Sequence, residues 1–276
     1  MDAWNHQNTA KAYARLTQTC PFYSELAVTL AEHLLQPGDR FIVDLGAGIG
    51  VSTAPLRRAA SIEADIWAVD PADAMLSYGR ENENLHGVRW FCGDIEALAV
   101  HRPRKSVDVI SCSAATWLKS DFEAFLGHAV RMLSPNGRLG FTLPAEYVGE
   151  IEHLLCPESI AFSRAVNQVR SAAYGGGDRL DESPNFGSKP LPSSIDGLED
   201  RMIFSGFSKV QSHVFEASWT AYDRALWYSL PPVLNRWLNG CSNDVQEKAA
   251  RDLRARAQEL PPVPVRWVLV SGTFIE

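Results

Sequence analysis

The chain has 276 residues, 46% hydrophobic content and a formal charge of −7 at pH 7. That length can bury the core of one large α/β domain with insertions. The acidic balance argues against a nucleic-acid partner, because neutralising phosphates needs clustered Lys and Arg, and the longest basic cluster, residues 101–105 (HRPRK), reads as a solvated loop. Cys20, Cys92, Cys112, Cys156 and Cys241 show no CxxC spacing, so neither a metal site nor a disulfide framework follows. No apolar run reaches the length of a membrane span, and the opening MDAWNHQ has no signal-peptide pattern. The expectation is a cytoplasmic monomer or homodimer with a small-molecule substrate.

Residues 1–36 carry Trp4, Tyr13, Leu16, Phe22 and Tyr23, then Leu26, Leu30, Leu34 and Leu35 at helical spacing, until Pro37-Gly38 stops the helix. Two readings stand side by side: a helix packed on one sheet face, or a cap whose aromatics close over a ligand. Phe41 to Thr53 (FIVDLGAGIGVST) then reads as a buried strand, a glycine turn and the opening of a helix. A second strand, Asp65 to Val69, ends at Asp70, and Pro71 opens a helix through Met75, Leu76 and Tyr78. A third, Val88 to Cys92, ends in Gly93-Asp94-Ile95. A fourth, Val107 to Ser113, ends in the small residues Ser111 to Ala115. One face of the next helix carries Phe122, Phe125, Leu126, Ala129, Val130 and Leu133. The turn Ser134 to Gly137 leads into a fifth strand, Arg138 to Leu143. Strands alternating with helices imply a doubly wound, mostly parallel sheet covered on both faces. Ligands in such sheets bind beyond the carboxyl ends of the strands. That rule gathers Asp44, Asp70, Asp94 and Ser111 to Ala115 at one rim.

The rhythm breaks after Pro144. A helix is expected over Val148 to Tyr174, interrupted at Pro157, followed by Gly175-Gly176-Gly177 and a Ser/Pro/Asn-rich stretch, Glu182 to Ser194, that reads as a lid. A helix over Ile195 to Phe204 leads to a sixth strand, Lys209 to Trp219. Tyr222, Trp227, Tyr228, Pro231, Pro232 and Trp237 form an aromatic insertion, and Asn243 to Leu260 a solvated helix of alternating charge. Val265 to Ile275 is the last strand. The organisation is thus one domain over 1–276: an N-terminal helical cap (1–36), a cofactor-binding core (37–145), a lid or insertion (146–207), and C-terminal strands with the aromatic insertion (208–276).

The glycine turn carries the chemistry. Glycines tolerate positive φ and let a ligand approach the backbone closely, and the following helix N-terminus presents free amides. The dinucleotide pattern G-x-G-x-x-G does not fit, since its third glycine would fall at Val51 or Thr53. That weakens an NAD(P) dehydrogenase reading. Asp44 would repel a pyrophosphate but suits a ligand with a cationic ammonium end. Asp70, 20 residues after Gly50, is placed to accept from ribose hydroxyls.

The motif D-x-G-x-G-x-G resembles the first signature of the class I S-adenosylmethionine (SAM)-dependent methyltransferases. Residues 108–118 (DVISCSAATWL) and 129–139 (AVRMLSPNGRL) are similar to the post-strand motif and strand-five entry of its ubiquinone-, biotin- and trans-aconitate-type branch. The resemblance implies seven strands in the order 3-2-1-4-5-7-6 with the last antiparallel. It also implies a cofactor site for SAM, which leaves as S-adenosylhomocysteine (SAH). There Asp44 and the turn Gly46, Ala47, Gly48 and Gly50 cradle the methionine part. Asp70 holds the ribose, Pro71 and Met75 lie against adenine, and Asp94 faces its amino group beside Ile95. Ser111 and Ser113 lie near the sulfonium, and Tyr13 reaches the carboxylate. One position departs: Thr116 stands where the branch commonly has a His before Trp117, and a hydroxyl is no general base near pH 7. No Asn-Pro-Pro-Tyr follows the fourth strand, so an amine of the nucleic-acid-base or protein type is not indicated.

Methyl transfer from a sulfonium needs alignment and exclusion of water; a carboxylate acceptor needs no base, whereas a phenol or amine benefits from one. By position the candidates for acid–base work are Tyr23, Glu146, Tyr147 and His213, and those for walling an apolar substrate are Trp117, Trp219, Tyr222 and Trp227. Three functions remain open at this point: methyl transfer to O, N or C of a small molecule, a non-methylating reaction such as a cyclisation, elimination or rearrangement on the same fold, and SAM-dependent regulation without catalysis.

Overall fold

The computed structural model describes residues 2–101, 104–115, 121–175 and 192–275. Two helices, α1 (Gln7–Thr19) and α2 (Phe22–Leu34), precede the first strand, β1 (Phe41–Leu45). Then come α3 (Thr53–Ala59), β2 (Asp65–Asp70), α4 (Asp73–Arg80), β3 (Arg89–Cys92), α5 (Ile95–His101), β4 (Val107–Cys112), α6 (Phe122–Met132) and β5 (Leu133–Pro144). The remainder is α7 (Pro157–Ala173), α8 (Ile195–Phe204), β6 (Phe207–Trp219), α9 (Ala221–Tyr228), α10 (Pro231–Trp237), α11 (Asn243–Ala257) and β7 (Val263–Phe274). The strands form one sheet in the order β3-β2-β1-β4-β5-β7-β6. Strand β7 runs antiparallel to both its neighbours, and the other pairings are parallel. Order and direction agree with the expected fold.

Register sets the rim. Asp44 pairs with Ser111 across β1 and β4, Leu45 with Val69, and Asp70 with Cys92. The carboxyl ends of β1, β2 and β4 therefore finish side by side. At the opposite edge Asp108 draws strands together: its Oδ2 accepts the backbone N–H of Arg40 and of Phe41, each at 2.9 Å, and its Oδ1 accepts Ser134 Oγ at 3.2 Å. One carboxylate thus sets the entry of β1 against β4 and β5.

Both faces are covered by apolar stripes with the period of a helix. Leu26, Leu30 and Leu34 of α2 are fully buried. A Cβ at Gly140 of β5 would come within 2.8 Å of Leu34 and 2.9 Å of Leu30, so the glycine admits the helix to the sheet. On the other face Phe125 and Leu126 of α6 and Leu198 and Met202 of α8 join one core with Leu139, Phe141 and Val270. Each such side chain contributes roughly 1.5–3 kcal/mol by leaving water.

The structure corrects three boundaries. Strand β5 begins at Leu133, not Arg138. The Ser134–Gly137 turn survives as an irregularity within the β4–β5 pairing, with Asn136 at φ 65°, and Leu133 belongs to the strand instead of the α6 stripe. The helix expected over Val148 to Tyr174 starts at Pro157, because proline suits a first helical position and not an interior one. Before it stand two short 3-10 turns, Ala145–Val148 and Glu152–Leu154, with Gly149 at φ 80° between them. Thr116, Trp117 and most of the Glu182–Ser194 stretch lie outside the described residues. No helix among the described residues is long and apolar enough to cross a membrane.

A buried ion pair ties the loop before β1 to β5. Arg138 Nη2 donates to Asp39 Oδ1, whose other oxygen accepts Gln36 N–H at 2.7 Å, and both side chains are about nine-tenths buried. Arg138→Met should cost about 3–5 kcal/mol of unfolding free energy, since it strands a carboxylate out of water. Adding Asp39→Asn should recover most of that loss. Urea unfolding of the two variants checks both statements.

Candidate functional site

The turn after β1 is built by three glycines in the left-handed region, Gly46 at φ 72°, Gly48 at 54° and Gly50 at 90°. Gly46 N–H and Ala47 N–H both donate to Val69 O, at 2.8 and 3.1 Å, which binds the turn to the end of β2. A Cβ at Gly46 would lie 2.3 Å from that of Ala115, so a side chain has no room between β1 and β4. Asp44 sits beneath. Its Oδ2 accepts Ser52 Oγ and Thr53 Oγ1, each at 2.7 Å, while its buried Oδ1 has no partner among the described residues. Burial raises its pKa to about 7, against the lowering pull of the two hydroxyls.

Asp70 closes the turn from the next strand. Its Oδ2 accepts Gly48 N–H at 3.0 Å and its Oδ1 accepts Ala72 N–H at 2.8 Å. Asp94 begins α5, accepting Ala97 N–H at 2.9 Å. These groups meet at a cavity of about 340 Å³. Of the residues expected from the sequence it is lined by Tyr13, Tyr23, Gly46, Ala47, Gly48, Asp70, Pro71, Met75, Asp94, Ser113 and Trp227. It does not collect the others. Asp44 lies under the turn, Gly50 packs toward Leu85 and Trp90, Ile95 is buried in the core, and Ser111 is buried within β4.

The cavity also has walls the motifs did not indicate: Trp4, Val51, Ser52 and Ala72 on one side, Pro232, Val233 and Arg236 on the other. Trp4 was singled out only as part of an aromatic stretch. Arg236 had one available signal, a cation beside Trp237 in the insertion that follows the sixth strand.

A second, smaller cavity of about 110 Å³ shares Tyr23 and Trp227 with the first. Glu146, Tyr147 and Trp219 line it, so three of the four acid–base candidates and two of the substrate candidates meet around it. His153 joins them, its Nε2 3.6 Å from Glu146 Oε2 and its buried Nδ1 without a partner. Arg224, Tyr228, Arg266 and Trp267 complete the wall. Burial pushes the hydroxyls of Tyr13, Tyr23, Tyr147 and Tyr228 above the ordinary tyrosine range. Asp70 adds to this at Tyr13, the Tyr13 hydroxyl at Tyr23 and Glu146 at Tyr147. At neutral pH these groups hold their protons and act as donors, not bases.

Two candidates stand elsewhere. His213 is exposed on β6, its ring centre 4.6 Å from that of His33, and it lines neither cavity. The alternation of an edge strand carried it to the α2 end of the face that Phe215 and Trp219 share, two and six residues further on. Tyr222 is exposed and also lines neither cavity.

Comparison with known proteins points to one family. Residues 42–137 match the family described as a methyltransferase domain. Trans-aconitate 2-methyltransferase of Enterobacter sp. (strain 638) is 30% identical over 151 residues, 55% of this chain and 50% of that protein. Malonyl-[acyl-carrier protein] O-methyltransferase of Bacillus anthracis is 28% identical over 128 residues, 44% of this chain and 46% of that protein. The matches thus span about half the length of these relatives. Among solved structures, a putative methyltransferase of Bacillus halodurans superposes with a TM-score of 0.56 at 13% identity, covering 91% of this chain and 99% of that one. At that identity the likeness is one of fold.

The raised pKa of Asp44 has a consequence for stability. The folded chain holds this proton more tightly than the unfolded chain, where the ordinary value is 3.8. The stabilisation it brings is fully present below about pH 4 and is lost as pH rises through about 7. Asp44→Asn cannot ionise and should lack this fall. Urea unfolding at about pH 5 and about pH 8 should show the difference between the two chains moving in favour of the variant at the higher pH. A difference independent of pH would mean that Asp44 is ionised throughout.

Proposed function

We propose that this chain, which belongs through residues 42–137 to the class I SAM-dependent methyltransferases, binds SAM in the larger cavity and methylates a small organic molecule at O, N or C. The observation that carries the reading is the meeting of Gly46, Gly48, Asp70 and Asp94 around one cavity at the carboxyl edge of the sheet. The donor set fits such a ligand. Two carboxylates face the cavity, and Arg236 is the one Lys or Arg among its described lining residues. That balance suits ribose hydroxyls and an ammonium group, and it disfavours a pyrophosphate.

In this reading Asp70 accepts from the ribose hydroxyls. Its two backbone hydrogen bonds hold it in place, so little side-chain freedom is lost on binding. The Gly46–Gly48 backbone lies against the methionine part, where any Cβ would intrude. Pro71 and Met75 flank the adenine, and Asp94 accepts from its amino group. Ser113 stands toward the reacting end, and the protonated Tyr13 hydroxyl donates to the carboxylate of SAM. Bound there, SAM supplies a methyl group on a sulfonium already activated for displacement. The chain's own part is to align the acceptor and keep water out. Residues 1–36 act as the cap, Tyr13 and Tyr23 facing the cavity, and Trp219 and Trp227 wall an apolar or aromatic acceptor of the secondary-metabolite kind. For an acceptor that must lose a proton, Glu146 with His153 is the group with basic atoms beside the smaller cavity.

Asp70→Ala should weaken SAM and SAH binding about tenfold or more in titration calorimetry. Asp70→Asn, which keeps one oxygen acceptor for the turn, should fold as the native chain does and still lose most of that affinity. Unchanged affinity in both variants would remove the ribose assignment.

A further inference from the structure

The smaller cavity has an excess of donors over acceptors. Arg224 makes no ion pair with any described residue; its guanidinium carbon lies 5.6 Å from the centre of the Phe162 ring. Arg266, on the same wall, is already compensated, by Glu216 at 2.8 Å and Glu152 at 3.5 Å. Trp219 is 6% exposed and its buried Nε1–H, a donor and never an acceptor, has no partner among the described residues. A buried donor left unmade costs about 1–3 kcal/mol, and the half-buried Arg224 is partly removed from the water that would offset its charge. The single carboxylate among the described lining residues, Glu146, faces His153. The group that satisfies this wall is an anion with several acceptor lone pairs.

We propose that the smaller cavity is the anion-holding end of the acceptor site, and that it takes the carboxylate of a small organic acid against Arg224. This rests on the methyltransferase reading of the larger cavity. The apolar body of the acid lies among Trp219, Trp227 and Trp267. The space of about 110 Å³ is less than the roughly 150 Å³ of an apolar cavity that accepts benzene, so it takes the carboxylate and the adjoining part of the body, and the rest of the molecule extends past Tyr23 and Trp227. Arg224 borders the smaller cavity and not the larger, which meets it at Tyr23 and Trp227. The carboxylate is therefore a handle. The atom that accepts the methyl group is at the other end of the molecule, past Tyr23 and Trp227.

The test uses the full chain with SAH at saturation and, separately, without it. Benzoate, phenylacetate and indole-3-acetate are titrated beside their uncharged amides, read by calorimetry and by tryptophan fluorescence. At least one acid should bind about tenfold or more tightly than its amide, as loss of a charge-assisted hydrogen bond implies. Arg224→Gln should abolish that preference and leave SAH affinity within about twofold, while Arg224→Lys, which keeps the charge without the fork, should retain part of it. Equal binding of acids and amides, acid binding unaffected by Arg224→Gln, or no acid binding to the SAH-loaded chain would each overturn the proposal. Failure of SAH itself to bind would instead overturn the reading of the larger cavity, and it is read in a separate titration.

Discussion

Asp44 is wholly buried at the end of β1, and its Oδ2 takes the hydroxyls of Ser52 and Thr53 at 2.7 Å each. Those two bonds fasten the end of the strand to the start of α3 and fix the span available to the residues between. Gly46 and Ala47 spend their amides on Val69 O, and Gly48 spends its amide on Asp70. The turn is thereby held from below by Asp44, from one side by β2 and from the other by Ala115, which a Cβ at Gly46 would overlap. A carboxylate oxygen left unpartnered in the interior is expensive, and the chain meets that cost by raising the pKa of Asp44 to about 7. A donor or cation reaching Oδ1 would restore the ionised form. The rim of the larger cavity is in this sense a consequence of one side chain.

The opposite wall has a different origin. Phe22 stands at the centre of an aromatic cluster, its ring 5.2 Å from Trp219, 5.5 Å from Trp267 and 5.7 Å from Phe215. Tyr23 continues it toward Tyr13 at 5.8 Å, and Tyr13 toward Trp4 at 6.1 Å. Edge-to-face contacts of this kind add about 0.5–1.5 kcal/mol each beyond their burial. They join the N-terminal helices to β6 and β7, segments about 200 residues or more further along the chain. The packing-helix and cap readings of residues 1–36 are thus not exclusive. Leu26, Leu30 and Leu34 pack on the sheet, while Tyr13 and Tyr23, on the preceding turns, reach the cavities.

What was legible in the sequence was local or topological. The glycine turn declares itself because backbone conformation there forbids side chains. Asp70 and Asp94 follow from the rule that strand ends share one edge, which needs only the strand order. Proline behaved as its missing N–H demands, opening α7 at Pro157. The misses have a common cause: they depend on which way a side chain faces. Ile95 is one residue past Asp94, and the helix period turns it into the core, while Ser111 is two residues short of Ser113 and stays within β4 below the rim. His213 shares a strand face with Phe215 and Trp219 but stands further along it. Arg236 had only its place beside Trp237 to mark it, and Arg224 had no such signal, because no local pattern marks a cation that a distant helix will bring to the cavity wall.

The two cavities differ in the sign of the charge they present. The larger has Asp70 and Asp94 at strand ends, where register alone sets their positions. The smaller has Arg224 on α9, with Trp219 at the end of β6. Segments joining β6 to β7 lie outside the parallel half of the sheet, so their sequence can change without disturbing β1, β2 or β4. Tyr23 and Trp227 belong to both cavities, and Trp227 lowers the Tyr23 hydroxyl pKa against the larger raising effect of burial. A ligand whose cationic end prefers the acidic rim and a ligand whose anionic end prefers Arg224 are thereby sorted to opposite sides of that pair by charge.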